Sequence, residues 1–182
     1  MKKQLIALSL GLSAALAGTS AFANSGVINF EGRITSATCP IEIINPEDGS
    51  IGNQVKMGTI EASRFTAIGQ EFKGKSFGLR VTAGAGCGFN PADNVAKVVF
   101  NGNADSSGDY FAVTPTSDGA KNVVISLHDN AGPLKPGAES AEYALNDTGS
   151  TDMIFNAYYR STAATVTAGT ASADIQFVVA IN

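Results

Sequence analysis

Few residues in this chain have the side chains for chemistry. His128, the one histidine, sits in the run Asn122–Asp129 (NVVISLHD), two residues after Ser126 and directly before Asp129. A nucleophile, a base and an orienting carboxylate must converge from different directions, whereas a serine two residues from a histidine on a strand merely shares its face. No G-x-S-x-G turn is present to raise a nucleophile. His128 is therefore expected to be a solvent-facing strand residue. Asn101, Asn103 and Asp105 have the opening spacing of a calcium loop, but the sixth position would be Ser106 instead of glycine and the twelfth Ala112 instead of glutamate. A solvated hairpin loop accounts for them better. Gly84, Gly86 and Gly88 surround Cys87 with no helix to follow, so they do not form a phosphate cradle. Tyr158 and Tyr159 are adjacent and must point to opposite faces of a strand, one toward a core and one outward. A sugar platform would want several exposed aromatics, and the chain has no Trp. These readings predict no enzyme, no metal, no cofactor and no small-molecule substrate.

The cysteines point instead to a compartment. Lys2 and Lys3, the apolar run Leu5–Ala17 and the Ala21-Phe22-Ala23 site have the form of a secretory signal, 1–23. The apolar run is shorter than a membrane helix needs, and no later run is long enough. Cleavage would leave 159 of the 182 residues, with 10 basic and 16 acidic side chains and a net charge of −6. That length suits one domain. The acidic balance argues against nucleic acid and anionic membranes as partners. In an oxidising compartment the two cysteines, Cys39 and Cys87, are expected to form one disulfide. The alternative, two free thiols in a redox or metal site, has neither a C-x-x-C spacing nor a nearby histidine behind it.

The elements that would position these residues are strands. Helix signals are nearly absent, and short runs of Val, Ile, Phe and Thr recur between clusters of Gly, Asn, Asp and Pro, the pattern of an all-β sandwich or barrel. Strands are expected at 40–44, 55–60 (with Gly58 interrupting), 76–82, 95–101, 110–114, 122–129, 141–145, 152–160 and 173–182, with 65–74 as loop. In 76–82, Phe77, Leu79 and Val81 should point inward. The mature N-terminus, Asn24–Cys39, alternates as well: Ile28, Phe30, Gly32 and Ile34 share one face. A glycine inside a strand costs stability unless something approaches closely. Gly32 thus suggests a strand shaped for a groove with one constricted position. At the other end Ile175, Phe177, Val179 and Ile181 form the apolar face of the last strand, an edge that would need cover.

The order of these pieces resembles the pilins of the chaperone–usher pathway, and most closely the major subunits of type 1-like fimbriae. The resemblance runs from Gly26 to Asn182. It rests on Gly26–Ile34 followed by Cys39, on Met57-Gly58, on Phe77 through Cys87, on Ile125–Asp129 with Gly132, on Phe155–Tyr158, and on Gly169 with the terminal strand. It implies an incomplete immunoglobulin-like sandwich lacking its seventh strand, made of a donor-strand extension, 24–36, and a pilin domain, 37–182. The missing strand leaves a groove beside Ile175, Phe177, Val179 and Ile181. A periplasmic chaperone fills this groove first. Afterwards the strand carrying Ile28, Phe30, Gly32 and Ile34 of a neighbouring pilin subunit takes its place, a known instance of β-strand addition. An outer-membrane usher and an extracellular fimbrium on a Gram-negative cell complete the expectation. Gly169 matches the family's glycine ahead of the terminal strand. Ile181 departs from it, standing where the family usually has tyrosine, which keeps an apolar side chain and loses a hydroxyl.

The function expected is thus a structural rod subunit that supports adhesion. The alternative is a minor adaptor or tip-associated subunit, and a minor adaptor would share all these features. A two-domain tip adhesin would need an additional binding domain, for which the mature length leaves no room.

Overall fold

The computed structural model describes residues 39–84, 87 and 94–181. The chain falls into two units, Met1–Ile34 and Thr35–Asn182, and the described residues all belong to the second. Ile28, Phe30, Gly32 and Ile34 lie outside the described residues.

The described part is built of antiparallel strands with a single short 3-10 turn, Ala62–Arg64. The larger sheet contains β1 (Ile41–Ile44), β2 (Glu71–Thr82), β4 (Phe111–Ala112), β5 (Val123–His128), β6 (Pro133–Leu134) and β8 (Ser150–Ser161). Its order is β1-β2-β8-β5-β4, with β6 also pairing with β5. The smaller sheet contains β3 (Val95–Gly102), β7 (Tyr143–Ala144) and β9 (Ile175–Ile181), in the order β7-β3-β9.

Period-two alternation builds one core from both sheets. Phe77, Leu79 and Val81 of β2 are buried as expected, together with Met153, Phe155 and Ala157 of β8 and Ala96, Val98 and Phe100 of β3. Three rings tie the layers: Phe155 packs 5.6 Å from Phe77 and edge-on, 4.8 Å, against Phe100. Such aromatic contacts add specificity to a large buried apolar area. A second cluster, centred on Phe65, Val123 and Val166, takes in Ile60 and Phe72.

Two expected boundaries are corrected. Residues 55–60 are not in a strand: Gly58 takes a φ of +76°, and no described strand pairs with the segment. Val55 and Met57 still pack, half-buried, against the core. Residues 71–74 are strand rather than loop. The register shifts between Phe72 and Lys75, and this bulge interrupts the alternation that marks a strand in sequence. Gly74 is required there, since a Cβ would fall 1.3 Å from the Ala157 carbonyl oxygen. The pairing of Pro133–Leu134 with β5, where the sequence suggested only a stop, is a third difference.

Candidate assembly groove

β3 and β9 pair in register, Phe100 with Phe177, Val98 with Val179 and Ala96 with Ile181. The two halves of each pair are buried unequally. Phe100, Val98 and Ala96 are 3%, 0% and 0% exposed, whereas Ile175, Phe177, Val179 and Ile181 pack on the same core and stay half-buried. The cause lies in what flanks each strand. β3 is covered on its far side by β7 at Val95 and Ala96, then by residues 137–140. There Gly137 N donates to Phe100 O (2.8 Å) and Ser140 N to Val98 O (2.8 Å). Among the described strands β9 pairs with β3 alone. Ile41 and Ile43 on the end strand β1, and Val55 and Met57, are likewise only partly covered. Sequence singled out the β9 row. It took 55–60 for a strand, whereas Val55 and Met57 pack half-buried on the core from a segment that no described strand pairs with.

Gly169 touches its own chain. A Cβ at this position would lie 2.4 Å from Asp118 O and 2.5 Å from Ala120 N, so only glycine allows the approach. Cys39 and Cys87 form a disulfide with Cα atoms 4.7 Å apart.

The residues with possible chemistry are brought together differently from expectation. His128 is not solvent-facing. Its side chain is 22% exposed, and its ring packs 4.9 Å from that of Tyr158. The outer face of the larger sheet carries bulky groups here. Glu71 Oε2 lies 3.3 Å from His128 Nε2, and Arg160 donates to Glu71 Oε1 at 3.0 Å. Ser126 Oγ lies 2.9 Å from the same Nε2. A relay needs the serine and the carboxylate on different ring nitrogens, and Ser126 is only 1% exposed. The cluster therefore ties β2, β8 and β5 together. Asp129 is turned away, accepting from the amides of Ala131, Gly132 and Ala141. Asp105 accepts from Ser107 Oγ and Tyr110 N and so closes its own hairpin. Tyr159 packs on the core with its hydroxyl donating to Ala171 O, and Tyr158 takes the other face.

Residues 28–182 match the family described as Fimbrial protein. The chain belongs to that family. Among curated relatives, the long polar fimbria protein A of Salmonella typhimurium is 30% identical over 97% of this chain and 95% of its own. The fimbrial subunit type 1 of Salmonella typhimurium is 32% identical over 85% and 81%. The fold of this fimbrial subunit is that of the pilins. A chain of a solved chaperone–usher pilus superposes with a TM-score of 0.61 at 21% identity, covering 91% of this chain and all of that one. The P pilus rod subunit PapA gives 0.58 at 17%, covering 80% and 100%. The fimbrial subunit is thus an immunoglobulin-like pilin, a structural protein and not an enzyme.

Proposed function

We propose that this fimbrial subunit forms the rod of an extracellular fimbrium by donor-strand exchange, residues 24–36 of one copy lying along β9 of the next. The observation that carries the reading is the unequal burial across the β3–β9 pairs. An added strand beside β9 would bury the exposed half of Ile175, Phe177, Val179 and Ile181. The alternating Ile28, Phe30 and Ile34 have the matching chemistry, each gaining roughly 1.5–3 kcal/mol on full burial. Before assembly a periplasmic chaperone covers the groove, and an outer-membrane usher passes the subunit to the surface. The rod reading takes its support from the likeness to the probable major fimbrial subunit LpfA of Escherichia coli O157:H7, 29% identical over 97% of this chain and 95% of its own.

The test is Phe30→Asp. A carboxylate placed in an apolar groove costs several kcal/mol unless neutralised or paired. The variant should fold, form its disulfide and accumulate with its chaperone, while electron microscopy finds no long filaments. Loss of the chaperone-bound subunit together with the filaments would place Phe30 in its own domain and end the donor-strand reading.

A further inference from the structure

The chain leading into β9 is pinned before the strand begins. Residues 165–172 run beside 114–122 through a close set of hydrogen bonds. Thr170 N donates to Asp118 O and Ala120 N to Thr170 O, both at 2.9 Å. Lys121 and Thr167 exchange a pair, and Thr114 N donates to Ser172 O at 2.7 Å. Side chains add to it: Thr170 Oγ1 donates to Asp118 Oδ2 (3.1 Å), and Asn122 Nδ2 to Thr165 O (2.9 Å). Asn122 itself holds a φ of +63°, a backbone conformation uncommon outside glycine. Gly169 lies at the centre, backbone against backbone with residues 118–120. Three residues beyond this clasp, β9 starts with β3 as its one described strand partner.

We propose that Gly169 and the turn at Asp118–Ala120 are a positioning device for the groove, fixing where β9 leaves the clasp so that its apolar row stays open to a strand from a second copy. This rests on the donor-strand reading above. A half-exposed apolar strand gains by tilting inward over the core, since burial of apolar area is favourable whatever covers it. The clasp opposes that tilt at the start of the strand. The contacts of Gly169 are internal, so its role does not require a partner to touch it.

The experiment uses the disulfide-bonded subunit carrying Phe30→Asp, so that its own extension does not polymerise, and a fluorescent synthetic peptide of native residues 24–36 as the probe. Gly169→Ala should reduce peptide affinity about tenfold, the effect of lowering the competent fraction to about a tenth. Thr170→Val should weaken it less, and Thr170→Ser, which keeps the hydroxyl, should restore it. The empty forms of the Thr170 variants should melt close to the empty parent, and the loss should show only in affinity and in the smaller rise of melting temperature on filling, because stabilisation by a ligand follows its affinity. Equal affinity in the Gly169→Ala variant and its parent would overturn the inference. So would empty Thr170→Val melting lower than the parent with an unchanged rise on filling, since the clasp would then be a general stabiliser. If Gly169→Ala does not fold, the Thr170→Val and Thr170→Ser pair decides by the same two readings. A parent that does not capture the peptide overturns the groove reading and this inference with it.

Discussion

β5 and β9 are both short, strongly apolar strands, yet their fates differ. β5 has β8 on one side and β4 and β6 on the other, and every residue from Val123 to Leu127 is buried. In β9 buried character alternates with exposure, even its inward residues stay half-buried, and Val178 on the outer face is 37% exposed. Hydrophobicity alone does not bury a strand. Each side chain on a sheet needs neighbours on both flanks as well as the facing layer, and the last strand of a sheet has one flank missing.

The largest effect should separate these regions directly. Phe155, fully buried between Phe77 and Phe100, should cost about 3–5 kcal/mol when truncated to Ala. Phe177→Ala should cost clearly less in the unfilled subunit and approach the same range once a donor strand fills the groove. Denaturant unfolding of empty and filled forms measures both. Equal costs in the empty form would mean that β9 is already a core strand, and the contrast with β5 would collapse.

The disulfide should come next. It joins Cys39, just before β1, to Cys87, after β2, and closes a separation of 48 residues. The chain-entropy relation assigns such a loop about 4 kcal/mol. Reduction, or replacement of both cysteines by serine, should lower the unfolding midpoint by that order. Hydrogen exchange should show the loosening first in β1 and β2, with β3 and β9 following only at global unfolding. Exchange that rises first in β9 would show that the disulfide supports the groove and not the larger sheet.

How much of this was legible in the sequence follows the same contrast. Strands with steady alternation, such as 76–82 and 152–160, were placed within a few residues, because period two is written directly in the side chains. The start of β2 was hidden, since Lys73 and Gly74 fall at a bulge, and the Ala157 carbonyl that leaves room there only for glycine lies on another strand. His128 misled for a similar reason: its cover comes from Glu71 and Tyr158, far off in sequence. The apolar face of β9 was legible, and the unequal burial across β3 was not, since that depends on residues 137–140 closing the far edge of β3.

The smallest effect is the response to acid, and it differs between the two regions in what it reports. On the outer face of the larger sheet Arg80 Nε donates to Asp152 Oδ1 at 2.6 Å and its terminal nitrogen to Oδ2 at 2.8 Å, joining β2 to β8. The Arg80 guanidinium holds the Asp152 carboxyl below its ordinary range, against a smaller opposing push from partial burial. Beside the groove the hydroxyls of Thr116 and Thr170 do the same to Asp118. A carboxylate whose folded pKa lies below its unfolded value stabilises the fold at pH values above the unfolded pKa. That contribution is lost as pH falls through the folded pKa, so the sign is a loss of stability in acid, from about pH 5 downward. The Arg80 and Asp152 side chains are 31% and 36% exposed, so solvent and salt screen their attraction. Melting curves of the native subunit and of Asp152→Asn, taken at steps from about pH 7 to about pH 2, should start apart and converge, since the variant has no charge to lose at this position. An advantage of the native protein that persists undiminished at the acid end would mean that shape and hydrogen bonding, not the charge of Asp152, hold β2 to β8 there.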